Sequence, residues 1–119
     1  MFPSPSTSRT LARIPGLSWV LIDQEHGNVS DSAMHECIAN IAPYGVSPLV
    51  RVPDSERWMI KRALDAGAHG IMVPLVSTIE EVEEVVRQVR FPCVLDRLHS
   101  CNDLCCISIG ALLVLEANW

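Results

Sequence analysis

The sequence predicts an α/β fold in which parallel strands alternate with helices, and three observations carry that expectation. Short apolar, β-branched runs recur at Trp19–Asp23, Pro48–Val52 and Gly70–Pro74. Each is followed by a segment whose apolar residues repeat at helical spacing, and the connections between them are short. Strand, helix and strand joined in this way make a right-handed crossover, so successive units build a parallel sheet of the barrel or the doubly wound kind. With 119 residues, 49% of them apolar and 19% charged, and a mean hydropathy of +0.25, the chain has the apolar content of one globular domain. It is too short for a closed eight-stranded α/β barrel, which typically takes about 250 residues.

Ser8 to Ile14 suits a short helix leading into the first strand. The first eighteen residues, with two arginines, four serines, two threonines and no acid, equally have a weak transit-peptide composition. Trp19–Asp23 is apolar on both faces, as a buried parallel strand is. Ser30 or Asp31 caps the next helix, whose Ala33, Met34, Cys37, Ile38, Ile41 and Ala42 form one buried stripe ended by Pro43 and Gly45. Pro48–Val52 is the second strand. Asp54 or Ser55 then caps a helix burying Met59, Ile60, Ala63 and Leu64 and closed by Gly67. After Gly70–Pro74, Thr78 with Glu81 three residues on predicts a capping box. The helix it opens should bury Ile79, Val82, Val85, Val86 and Val89 and pair Glu83 with Arg87.

The formal charge of -5, from 9 basic and 14 acidic side chains, argues against a nucleic-acid partner. The longest apolar run, Ile107 to Leu115, falls well short of the ~20 residues of a membrane helix, so no membrane association is expected. Five cysteines, four of them at Cys93, Cys101, Cys105 and Cys106, do not make a disulfide framework for the whole chain. A reducing, cytoplasmic location is expected, with a mitochondrial one as the alternative.

In parallel α/β sheets the loops after the strands open on the carboxyl edge, where the chemistry lies. That edge collects Asp23, Glu25 and His26 after the first strand, Arg51 from the second, and Pro74 to Ser77 after the third. A histidine beside carboxylates can act as a base near neutral pH, and a guanidinium fork suits a carboxylate or a developing enolate. The set therefore suits proton abstraction next to a carbonyl. The bland reading stands beside it: Asp-x-Glu-His after a strand also serves as a helix-start cluster that satisfies backbone donors. Arg51, costly to bury unpaired, calls for an anionic partner.

The strings WVLIDQEHG (residues 19–27), PLVRVP (48–53) and IKRALDAGAHGIMVP (60–74) resemble, in order, the HpcH/HpaI aldolase and citrate lyase family, over about residues 8–92. Within it they are similar to the class II pyruvate aldolases of the 2,4-dihydroxyhept-2-ene-1,7-dioate type. The resemblance implies part of a (β/α)8 TIM barrel, about three βα units, and a carbon-carbon lyase that joins or separates a pyruvate enolate and an aldehyde with a divalent metal such as Mg, Mn or Co. It implies His26 as the general base acting through water, Asp23 orienting it or a metal-bound water, and Arg51 neutralising the enolate oxygen. Pro74 would line the substrate, a pyruvate-like 2-oxo acid. Glu25 matches the motif without an assigned role. Asp65 matches an acid associated with the histidine, yet it ends a helix on the opposite edge, so another subunit of a homo-oligomer would have to bring the two together.

The chain departs from the family pattern after Pro92. The glutamate and aspartate that hold the family's metal come from later strands, and no substitute for them is recognisable. Residues 1–92 are thus expected to form the partial barrel and 93–119 an atypical, cysteine-rich tail foreign to the family fold. His99, Cys101, Cys105 and Cys106 are of zinc-ligand type but lack a standard spacing. Two functional expectations follow: an aldolase-type chain, inactive alone, or a non-catalytic fragment that associates with itself or a full-length relative through open sheet edges.

Overall fold

The computed structural model describes residues 4–89 and the backbone of a strand at Leu112–Leu115. Its elements are α1 (Pro5–Ala12), β1 (Trp19–Asp23), α2 (Asp31–Ile41, continued by a 3-10 turn over Ala42–Tyr44), β2 (Ser47–Arg51), α3 (Arg57–Asp65), β3 (Gly70–Val73), α4 (Ile79–Val89) and β4 (Leu112–Leu115). The four strands are parallel and stand in chain order, β1-β2-β3-β4. This order separates the two windings that the sequence left open. A doubly wound sheet reverses direction at a switch point, whereas a barrel adds each strand on the same side.

Sheet register explains the burial. Ile22, Val50 and Ile71 lie side by side across three strands and are almost fully enclosed. They face Met34, Cys37, Ile38 and Ile41 of α2, Ile60, Ala63 and Leu64 of α3, and Val85 of α4, in one core. Each fully buried Ile or Val in that layer stabilises the fold by about 1.5–3 kcal/mol. On the opposite face Leu21, Leu49 and Met72 are only half-buried.

Local chemistry sets the element ends. The Ser30 hydroxyl accepts from the Ala33 N–H, capping α2 as expected. Gly67, at φ +99°, reverses the chain after α3 in a conformation that other residues rarely adopt. Pro48 sits inside β2 without harm. Its nitrogen faces the β3 side, where pairing begins only at Leu49↔Gly70, so no ladder donor is lost.

Several expectations need correction. Helix α3 begins at Arg57 with Glu56 as cap, because the Asp54 carboxylate accepts from its neighbour's N–H (2.6 Å) and hydroxyl (3.4 Å) on Ser55 instead. Ile79 is 75% exposed at the first position of α4, before the helix reaches the sheet. Arg87 pairs with Glu84 (2.6 Å), not Glu83. Ala42 leaves the buried stripe because the chain has tightened into the 3-10 turn. The three expected parallel strands are present, and a fourth from the apolar run 107–115 is added to them, pairing in parallel with β3 from Gly70↔Leu112 to Val73↔Leu115. The zinc reading at His99, Cys101, Cys105 and Cys106 lies outside the described residues.

Candidate functional site

The carboxyl ends of β1 and β2 bring Asp23 and Arg51 together. They are register partners, so their side chains leave the same face of adjacent strands, and Met72 of β3 continues the row. Arg51 donates from Nε to Asp23 Oδ1 at 3.0 Å and from Nη2 to Oδ2 at 2.6 Å. Such a two-pronged, charge-assisted pair fixes both groups in one plane. Each side chain retains 16% of its exposure, so the fork is largely shielded from water.

The turn after β1 folds around the same carboxylate. Asp23 Oδ1 also accepts the backbone N–H of Glu25 at 3.1 Å and of His26 at 3.2 Å, a local bond typical of aspartate at a turn. Gly27 completes the turn so close to the end of the strand that a Cβ there would lie 2.1 Å from the Asp23 carbonyl oxygen. The Arg51 hydrogen bond, helped by these backbone donors and by the guanidinium charge, outweighs burial and lowers the Asp23 pKa from 3.8 to about 2.

Glu25 stands between the other two groups. Its Oε2 is 3.4 Å from Arg51 Nε, and its Oε1 is 3.6 Å from His26 Nε2. Among the described residues Oε2 is buried with no hydrogen bond and is held by charge alone. The carboxylate beside the imidazole is therefore Glu25. Among the described residues Asp23 meets His26 through the His26 backbone N–H and holds Arg51 through its side chain. His26 itself is 72% exposed and open to water.

The remaining site residues divide by edge. Pro74 is buried just past β3 on the same rim, followed by Leu75 at φ +60°. Asp65 is exposed at the carboxyl end of α3, which leads to the amino edge of β3, so it does not join His26 within this chain. His69, on that same far edge, contacts the Ser47 hydroxyl at 3.2 Å. The family resemblance leaves Glu25 without a role, and the sequence gives no task to Gln24, whose side-chain amide reaches Asp31 Oδ1 at 3.2 Å and ties the turn to the start of α2. The only available signal was the Gly27 that ends the polar string.

Comparison with known proteins decides what this rim belongs to. The sequence model of the HpcH/HpaI aldolase/citrate lyase family matches residues 3–109. This chain belongs to that family. It is 34% identical over 117 residues to the 2-keto-3-deoxy-L-rhamnonate aldolase of Klebsiella pneumoniae, covering 96% of the chain and 40% of that relative. It is 39% identical over 77 residues to the hydroxypyruvate/pyruvate aldolase of Roseobacter denitrificans, covering 65% of the chain and 30% of that relative. An HpcH/HpaI family crystal structure from Burkholderia cenocepacia superposes with a TM-score of 0.71 at 37% identity, covering 77% of this chain and 36% of that one. The chain thus spans less than half the length of the relatives it matches, and the family match runs past residue 92.

The family's implied divalent metal finds no complete ligand set here. Among the described residues no group of three His, Cys, Asp or Glu side chains is placed to hold an ion. Both Asp23 oxygens are committed to Arg51, which leaves Glu25 as the one carboxylate at the rim with an oxygen that accepts no hydrogen bond.

Proposed function

We propose that this chain carries the guanidinium, carboxylate and imidazole part of an aldolase site for a pyruvate-like 2-oxo acid and an aldehyde. The observation that carries the reading is the Asp23–Arg51 fork with Glu25 joining it to His26, on the carboxyl edge of a barrel-type sheet whose relatives are aldolases. In the cleavage direction the hydroxyl proton of the aldol passes through water to His26. The carbon-carbon bond breaks, its electron pair enters the enolate of the 2-oxo acid, and the aldehyde departs. Arg51, locked in orientation by Asp23, lowers the energy of the negative oxygen that develops. Glu25 stands beside the imidazole, its Oε1 3.6 Å from Nε2, and helps to orient it for the transfer.

The side chains of Asp23, Glu25 and Arg51 together carry one formal negative charge, so an anionic substrate calls for a further positive group at the rim. A divalent cation such as Mg, Mn or Co would supply Lewis-acid polarisation of the 2-oxo group, and its ligands would come from elsewhere. We therefore propose that the 119-residue chain alone does not turn over. Two assays test the reading. The purified chain, given 2-keto-3-deoxy-L-rhamnonate with each metal, should release no pyruvate in a coupled dehydrogenase assay; sustained release would refute its inactivity. Residues 4–89 transplanted into the Klebsiella pneumoniae relative in place of the matching segment should support cleavage that His26→Ala and Arg51→Lys each reduce at least about 100-fold. A folded chimera indifferent to both changes would refute the assigned roles.

A further inference from the structure

Outside the rim, one carboxylate joins three parts of the fold. Asp31 opens α2, and its Oδ2 accepts from Arg62 Nη1 of α3. Its Oδ1 accepts from the Gln24 side-chain amide at 3.2 Å, so both oxygens are engaged. Arg62 in turn lies over the ring of Trp58, one helical turn earlier, with Cζ 5.7 Å from the ring centroid. A guanidinium laid on an indole and bonded to a carboxylate loses much of its rotamer freedom, so Asp31 has a fixed partner. The two helices that carry the pair are themselves anchored in one core, α2 by Ile38 and Ile41 and α3 by Ile60 and Leu64. Gln24 is where this network meets the rim. Its backbone N–H donates to the Arg51 carbonyl at 3.0 Å. It stands between Asp23, which holds Arg51, and Glu25, whose Oε1 is 3.6 Å from His26 Nε2. His26 is 72% exposed, so the path of the turn, rather than packing around the ring, sets where the imidazole stands.

We propose that Arg62 is a positioning residue for His26, acting through Asp31 and Gln24 to fix the turn between β1 and α2. Asp23 holds that turn from the rim, through the N–H groups of Glu25 and His26. The Arg62–Asp31–Gln24 chain holds it from the helices. The competing reading is an ordinary surface ion pair. The Arg62 and Asp31 side chains are 54% and 44% exposed, and pairs this open to water add little to stability. Placement can therefore be separated from folding, because breaking the pair should loosen the turn and leave the sheet alone. The catalytic meaning rests on the reading of His26 as the base of the proposed aldolase site; the tether itself does not.

Amide exchange followed by NMR on the full 119-residue chain tests it. Arg62→Met keeps the length and the helix propensity but gives up the donor. It should speed exchange at Glu25 and His26 about fivefold or more while Val50, in the middle of the sheet, stays within about twofold. The nuclear Overhauser contact between the Glu25 side chain and the His26 ring should weaken with it. Gln24→Ala cuts the same tether at its other end and should give the same local acceleration, and the double change should do no more than either alone. Unchanged exchange at Glu25 and His26 in Arg62→Met overturns the proposal, as do additive effects of the two changes. Acceleration that Val50 shares equally also overturns it, since that marks a pair that serves folding alone. If Arg62→Met does not fold, Gln24→Ala decides by its exchange at Glu25 and His26 against Val50. The His26→Ala arm of the cleavage assay tests the catalytic reading separately, and its failure leaves these exchange rates untouched.

Discussion

Arg51 holds Asp23 through two bonds, Nε to Oδ1 at 3.0 Å and Nη2 to Oδ2 at 2.6 Å, across the register pair that ends β1 and β2. The fork joins the fold to its chemistry, because the same carboxylate oxygen that takes Nε also anchors the turn bearing Glu25 and His26. Removing one partner therefore disturbs both.

The fork makes stability depend on acid. The folded pKa of Asp23, about 2, lies below its ordinary 3.8, so the folded state favours the charged form. The resulting stabilisation is complete above about pH 5 and disappears as pH falls through the folded pKa near 2. Melting temperature followed by circular dichroism should drop across this window, and Asp23→Asn should flatten that part of the profile. At pH 7 the same variant should lose about 2 kcal/mol, less than the ~3–5 of a fully buried pair, since some water still reaches the site. An acid profile for Asp23→Asn as steep as that of the unaltered chain would count against the fork.

Gly27 is predicted to resist any side chain. A Cβ there would meet the Asp23 carbonyl oxygen at 2.1 Å, and that oxygen is backbone, so the turn or the end of β1 must shift. Gly27→Ala should cost about 1–3 kcal/mol in urea denaturation. It should also raise the Asp23 pKa, read by carboxyl NMR titration, because the N–H groups of Glu25 and His26 leave Oδ1. A stable variant with an unmoved titration would show that the turn has room to spare.

How much of this was legible in the sequence depended on what sets each feature. β1 was read to the residue, because an apolar run flanked by polar ones is a local signal. α3 was misread at its start, because Asp54 was equally able to cap a helix or to bond its neighbour Ser55, and sequence does not say which. β4 is undecided in the sequence, where the apolar run 107–115 suits a strand or a helix only if something packs on it, and the pairing with β3 that decides it is a long-range contact. Glu25 was visible as a residue but not as a link, since its position between Arg51 and His26 depends on a turn held by Asp23.

Leu75 is the reverse case, a feature with no sequence signal at all. It holds φ +60° while 63% exposed, so it bears the clash of a left-handed backbone and gains little from packing. Leu75→Asn, a residue that tolerates this conformation, should stabilise the chain by about 0.5–1 kcal/mol. Chemical denaturation of the two proteins side by side measures it; a loss of stability would mean that Leu75 packs against residues outside those described.

The start of α4 gives the last prediction. Thr78 Oγ1 accepts from the Glu81 N–H at 3.3 Å, and Glu81 Oε2 answers by accepting from the N–H groups of Thr78 at 3.1 Å and Ser77 at 2.8 Å. Three donors are thus satisfied where the chain leaves the rim for the helix. Glu81→Gln keeps an acceptor oxygen but gives up the charge that favours a helix amino terminus, so it should lose only about 0.5 kcal/mol. Thr78→Ala gives up one bond and should lose about 1 kcal/mol. The double change Thr78→Ala with Glu81→Ala should exceed the sum of its single changes or fall short of it by more than about 0.5 kcal/mol, since the two side chains serve one network. Strict additivity in a double-mutant cycle would mean that the two caps act separately and that the turn into α4 is held by its packing on Val85 instead.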